Sequence, residues 1–256
     1  MRTLIKILVL FYTLSFSGQN IAIELNEQEG TISTIYHTNS NIVFKISASG
    51  NLKAVFIFDS DRAANFYLRN IYLKDLLPAN RLQVNDITFR IAQLKTTDYY
   101  KEFYYHRPSI KNGMVSQVNN YTLDYYNSFY VGTPSIKNGK LSKIGDIKID
   151  YHERYNMGNP YIYNGKISKI GDLNIEYQQI ATSGLPSINR GKITRIGGIK
   201  IKHFEKYEIQ KDIHGKVAAI GDVRVNYEPR FYSWQRNQSS GMYRGIAGAD
   251  SRVIIY

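Results

Sequence analysis

A fourteen-residue motif recurs in one register and limits the folds open to this chain. Four copies align without a gap: Asn138-Gly-Lys-Leu-Ser-Lys-Ile-Gly-Asp-Ile-Lys-Ile-Asp-Tyr151, Asn164-Gly-Lys-Ile-Ser-Lys-Ile-Gly-Asp-Leu-Asn-Ile-Glu-Tyr177, Arg190-Gly-Lys-Ile-Thr-Arg-Ile-Gly-Gly-Ile-Lys-Ile-Lys-His203 and His214-Gly-Lys-Val-Ala-Ala-Ile-Gly-Asp-Val-Arg-Val-Asn-Tyr227. A fifth, Asn112 to Tyr125, has Asn119-Asn120 in place of Gly-Asp. The first glycines fall at 113, 139, 165, 191 and 215, a spacing of 26, 26, 26 and 24, and Pro108, Pro134, Pro160 and Pro186 precede the first four by five residues. A unit this short buries one apolar stripe and needs its neighbours to complete a core, so the copies must stack. A propeller blade, at about 40 residues, is too large for this period.

Each copy reads as two strands and two turns. Asn112-Gly113, Asn138-Gly139 and Asn164-Gly165 predict type I′ turns, and Gly145-Asp146, Gly171-Asp172 and Gly221-Asp222 a second tight turn. After that turn Ile147, Ile149 and Tyr151 alternate with Lys148 and Asp150, the period of a half-buried strand. Leu141 and Ile144 have opposite parity, which predicts a bulge near Ser142-Lys143. A strict two-residue turn would set Lys143 against Lys148, so a modified register is expected there. The apolar ladders are Val118, Ile144, Ile170, Ile196, Ile220 and Leu123, Ile149, Ile175, Ile201, Val225. The expected fold is all-β, an elongated or curled antiparallel β-hairpin repeat array, a solenoid-like repeat sheet in preference to a closed barrel.

Composition agrees. Twenty-two Tyr and 11 Phe against one Trp and four Met favour pleated, half-buried surfaces over helices. With 256 residues and no cysteine, the chain must be stabilised by apolar burial alone, without disulfides or thiolate zinc sites. Residues 1–17 read as a signal peptide: Arg2 and Lys6 flank a short apolar stretch, Ile7 to Phe16, and Ser15 and Ser17 stand at −3 and −1 of a cut before Gly18. That stretch is shorter than the roughly 20 residues of a spanning helix. Export to the periplasm, outer surface or extracellular space is expected, with 31 basic against 21 acidic residues left, or +10. Residues 18–98 are expected to form an N-terminal β region of degenerate copies or a cap. Gly30 to Ile35 and Gly50 to Val55 echo the first strand, Asn85 to Phe89 echoes the turn and second strand, and a short helix is expected near Asp61 to Ala64. Residues 99–228 hold the array, and 229–256 a flexible polar tail with Val253 to Tyr256 as a last strand.

The repeats resemble uncharacterised secreted bacterial proteins built from Gly-Lys/Arg-Ile-x-x-Ile-Gly-x-(Ile/Val)-x-Ile-x-Tyr units over residues 107–228. They are similar more faintly to the tyrosine-aspartate repeats of bacterial toxin shells. Here His152, Gln178 and Glu228 follow the tyrosines instead of a regular Asp. The resemblance implies a β-hairpin shell and assigns no activity to any residue.

Chemistry is sparse. Of the five histidines, His37, His106, His152, His203 and His214, none has a zincin partner; His203 stands in the repeat tyrosine position and His214 in the turn Asn position. Asp59-Ser60-Asp61 lacks the glycine and distal glutamate of a calcium loop, and Ser240-Gly241 lacks the frame of a nucleophile elbow. Neither enzyme activity nor a metal or cofactor is expected. What remains is charge. Lys140, Lys166, Lys192 and Lys216 form one column, Lys143, Lys169 and Arg195 a second, and Lys148, Lys200 and Arg224 a third. These either keep a sheet soluble or present a cationic face to an acidic polysaccharide, lipopolysaccharide phosphates or nucleic acid. The tyrosines Tyr125, Tyr151, Tyr177 and Tyr227 share the parity of the core, with a stacking platform as the alternative. Two roles follow: a structural or adhesive envelope protein that meets a partner or its own copies through its sheet, or a binding module for anionic polymers.

Overall fold

The computed structural model describes residues 21–26, 31–71, 74–104, 107–127, 135–156, 159–160, 162–179, 188–205, 213–227, 243–247 and 254–255. The expected signal segment, His106, Pro134, Pro186 and most of the expected tail lie outside these residues.

The N-terminal region builds a sheet of its own and does not continue the array. Its strands are β1 (Ile21–Leu25), β2 (Ile32–Asn39), β3 (Ile42–Ser47), β4 (Leu52–Ile57), β5 (Asn80–Val84) and β6 (Ile87–Ile91), with helix α1 (Asp61–Arg69) after β4. The first four form an antiparallel meander, while β4 pairs in parallel with β6. A parallel pair needs a crossover, and α1 lies within it. Ser60 caps this helix by accepting a hydrogen bond from the Ala63 N–H at 3.3 Å, with Asp61 in the first turn. Capping therefore accounts for Asp59-Ser60-Asp61. A seventh strand, Ile254–Ile255, pairs in parallel with β1.

This sheet is a middle layer. Ala22, Tyr36, Val43, Ala54 and Phe56 pack against Ala64, Tyr67 and Leu68 of α1. Ile23, Ile35, Phe44, Ile46, Val55 and Ile57, on the opposite parity, join a core shared with the array. Burial of both faces explains the unbroken apolar run Ala54 to Phe58.

The array is a twelve-stranded antiparallel sheet whose strand order follows the chain, from Thr97–Tyr99 to Tyr243–Ala247. The fold class expected from the repeat is thus the one observed, a sheet not closed into a barrel. The segment expected as a tail contributes its last strand, Tyr243–Ala247. Between the edges each copy gives one hairpin, such as Leu141–Ile144 with Ile147–Tyr151 and Ile167–Ile170 with Leu173–Tyr177.

The expected bulge is present. Tyr151 pairs with Ile167 and Asp150 with Lys169, which leaves Ser168 as the extra residue, and Ser142, Thr194 and Ala218 occupy the same place. It turns both Ile167 and Ile170 into the core. Two expectations are corrected. Lys143 does stand opposite Lys148, and Arg195 opposite Lys200. A carboxylate faces the other side of each, Asp124 beside Lys143 and Glu176 beside Arg195, which offsets the like-charge contact. The Asn-Gly turns are not type I′, because only the glycine is left-handed, at φ +81, +77 and +77 for Gly113, Gly139 and Gly165. The Gly-Asp turns carry φ near +55 on their first residue, and Asn119 adopts +50 there.

Registers also set the shape. Lys143 faces Lys148, but Lys169 faces Asp150, two residues further on, and later copies repeat this step. Each copy therefore advances about 9.6 Å across the strands and slides about 7 Å along them, tilting the stack by about 35° as in curled sheets. The apolar side of the array packs on the first sheet. Ile167 N–H donates to the Gly50 carbonyl at 2.9 Å, and the Tyr121 hydroxyl to Asn41 Oδ1 at 2.9 Å.

Candidate ligand-binding face

The inner side of the array is committed to packing. The hydroxyls of Tyr125, Tyr151, Tyr177 and Tyr227 donate to the carbonyls of Val115, Leu141, Ile167 and Val217, always ten residues back, at 2.9, 3.0, 2.9 and 2.7 Å. The first three tyrosines are buried and Tyr227 is half-buried. Burial pushes the Tyr151 and Tyr177 phenols far above their usual range, so both remain donors. These rings are core and offer no stacking platform.

The first lysine column is tied down as well. Lys140 Nζ donates to the Gly165 carbonyl at 3.1 Å, Lys166 to Gly191 at 2.8 Å and Lys192 to Gly215. Lys140, Lys166 and Lys216 also lie over the rings of Tyr151, Tyr177 and Tyr227, 5.1, 5.1 and 5.3 Å from their centroids. Burial lowers the pKa of the Lys166 and Lys192 ammonium groups. The ammonium groups of Lys140, Lys166 and Lys192 act as rungs between successive copies.

The other two columns face outward. Cross-strand pairing sets Asp124–Lys143–Lys148, then Asp150–Lys169–Asn174, then Glu176–Arg195–Lys200, then Lys202–Ala219–Arg224. Lys148, Lys169, Arg195, Lys200, Lys202 and Arg224 are exposed, whereas Lys143 is half-buried with its Nζ 3.9 Å from Asp146. Carboxylates accompany the cations in the first three groups. Asp124 and Asp150 are further held by Lys111 and Lys137 at 2.6 and 2.7 Å. Burial raises the pKa of these two carboxyls. Hydrogen bonds from the lysines, from the Tyr125 and Tyr151 N–H groups, and from the Tyr100 and Tyr126 hydroxyls outweigh it and bring the pKa below the usual range.

The last group has no carboxylate among its three members, because Lys202 stands where earlier copies place Asp124, Asp150 and Glu176. Gly198 likewise replaces the turn aspartate, and Arg190 to His203 holds five cations and no acid. Positive charge therefore concentrates on Lys200, Lys202 and Arg224, beside Arg195, whose Nε lies 3.4 Å from Glu176 Oε2. Lys202 was not among the ladder residues singled out from sequence. Its signal was the loss of an acid at a fixed repeat position, not the presence of a column.

An open groove of 680 Å³ lies over the earlier copies, lined by Tyr126, Lys143, Lys148, Asp150, Lys169 and Asp172 among others. Among the described residues no group of three or more His, Asp or Glu is placed to hold a metal, and no helix is long and apolar enough to cross a membrane. His152 packs edge-on against Tyr177 with Nε2 3.2 Å from the Ile175 carbonyl, and His37 stacks on Phe44. One isoleucine is exposed in each of the first four copies, Ile110, Ile136, Ile162 and Ile188, at 37–47%. No family model, curated protein or solved structure matches this chain.

Proposed function

We propose that this chain is an exported, non-enzymatic repeat-sheet protein of the cell envelope or surface that holds an anionic polymer on the outer face of its array. The observation that carries this reading is the loss of the repeat carboxylate at Lys202, which leaves Lys200, Lys202 and Arg224 with no carboxylate among their cross-strand partners while the rung lysines stay paired. An exposed set of four cations in which, among the described residues, only Arg195 is paired with a carboxylate, Glu176, is a focus for polyanions, since each phosphate, sulfate or carboxylate bound there releases counterions. The basic segment ahead of the short apolar stretch Ile7 to Phe16, with Ser15 and Ser17 at −3 and −1 of a cut, supports export. The exposed isoleucines, one in each of the first four copies, favour a second reading in which the array acts as a scaffold for a protein partner.

The test is titration of the purified protein with heparin fragments at several salt concentrations, beside a variant carrying Gln at 195, 200, 202 and 224. Binding that weakens steeply with salt, and whose salt slope drops by about three to four counterions in the variant, supports the reading. Equal slopes in the two proteins would remove it.

A further inference from the structure

Resting on that reading, we infer that the polymer is an acidic polysaccharide charged on alternate sugars, lying across the strands along the stacking direction. Equivalent side chains of successive copies, such as Lys169 and Arg195, are set apart by two strand widths and a two-residue slide, about 12 Å. Two linked sugars span about that distance. A polymer with one charge per disaccharide comes nearer to one anion per copy than a polymer charged on every sugar, and the long lysine and arginine side chains take up the remaining difference.

The groups between the cations suit neutral sugars. Asn174 is exposed beside Lys169, and Ser168 and Thr194 sit at the bulges with hydroxyls next to Lys169 and Arg195. The pairing row from Asp124 to Arg224 contains no aromatic ring, and the tyrosine column is turned into the core. A single-stranded nucleic acid would find only Tyr126, at the groove over the earlier copies, and no repeated column of rings on which to stack its bases. A duplex, with one charge per about 1.7 Å of axis, would present far more phosphates than these cations neutralise.

The experiment compares hyaluronan fragments, charged on every second sugar, with polygalacturonate, charged on every sugar, and with oligo(dT) of matched length. Binding is followed by fluorescence anisotropy near physiological salt. Hyaluronan should bind at least as tightly as polygalacturonate despite half its charge density, and at least tenfold more tightly than oligo(dT). Its affinity should grow with fragment length and level off at about four to five disaccharides. Asn174→Lys, which fills the empty ladder position on an exposed site, should tighten hyaluronan binding at least threefold. Affinities that instead rank by charge density would overturn the spacing inference and leave polyanion binding standing. Absence of binding to every polymer would overturn both.

Discussion

The Tyr177 hydroxyl lies directly over the α-carbon of Gly50, so closely that even a methyl group on residue 50 would overlap the ring. The contact joins the turn after β3 to the third copy of the array. The Gly50 carbonyl accepts from Ile167 N–H, and the Tyr177 hydroxyl donates to the Ile167 carbonyl, so one residue receives both layers. The hydroxyl cannot move aside without giving up a buried hydrogen bond.

Gly50→Ala should therefore destabilise the protein by about 2–4 kcal/mol, combining the strain of a side chain at φ +83 with overpacking. Chemical denaturation measures this as a lower midpoint. Gly113→Ala serves as the control, because a Cβ there meets nothing within 4 Å and only the φ +81 strain applies. A loss at residue 50 no larger than at residue 113 would show that the ring contact does not lock the layers.

Removing one tyrosine hydroxyl exposes the worth of the ten-residue clasp. Tyr151→Phe leaves the Leu141 carbonyl without that donor in the core and should cost about 1–2 kcal/mol. Tyr227→Phe should cost less, since Tyr227 is half-buried and water can approach the Val217 carbonyl. Equal losses from the two substitutions would contradict this ranking.

His203 gives the fold an acid-sensitive position. Burial, reinforced by the nearby Lys192, pushes its pKa down to about 4. In the unfolded chain the ring titrates near 6.5, so below that pH the unfolded state takes a proton that the native state refuses. The stabilising effect of the neutral ring is complete above about pH 6.5 and is lost progressively down to about pH 4, by up to about 3 kcal/mol. His203→Tyr restores the repeat residue, lets a hydroxyl reach the Ile193 carbonyl, and should flatten this part of the stability–pH curve. An unchanged slope in that variant would place the acid sensitivity elsewhere.

The array was legible because its signals are local. Period-two alternation identified the core column at Ile149 and Tyr151, and the parity break between Leu141 and Ile144 identified the bulge. The first sheet was harder to read. Echoes such as Asn85-Asp86 do mark a two-residue turn, with Asn85 at φ +51, yet β6 pairs in parallel with β4, a contact no local pattern encodes. The double-sided burial of Ala54 to Phe58 was the available clue. The lysine columns looked alike in sequence because the partner of Lys140 or Lys166 is a backbone carbonyl one copy later. Only the stacking geometry separates rungs from face.

That separation is the central claim, and two sets of substitutions test it directly on immobilised heparin with a salt gradient. Lys140, Lys166 and Lys192 changed to Met should lower the denaturation midpoint and leave the eluting salt concentration nearly unchanged. Arg195, Lys200, Lys202 and Arg224 changed to Gln should leave the midpoint nearly unchanged and bring elution to much lower salt. The opposite pattern, with retention lost in the first set and kept in the second, would contradict the account.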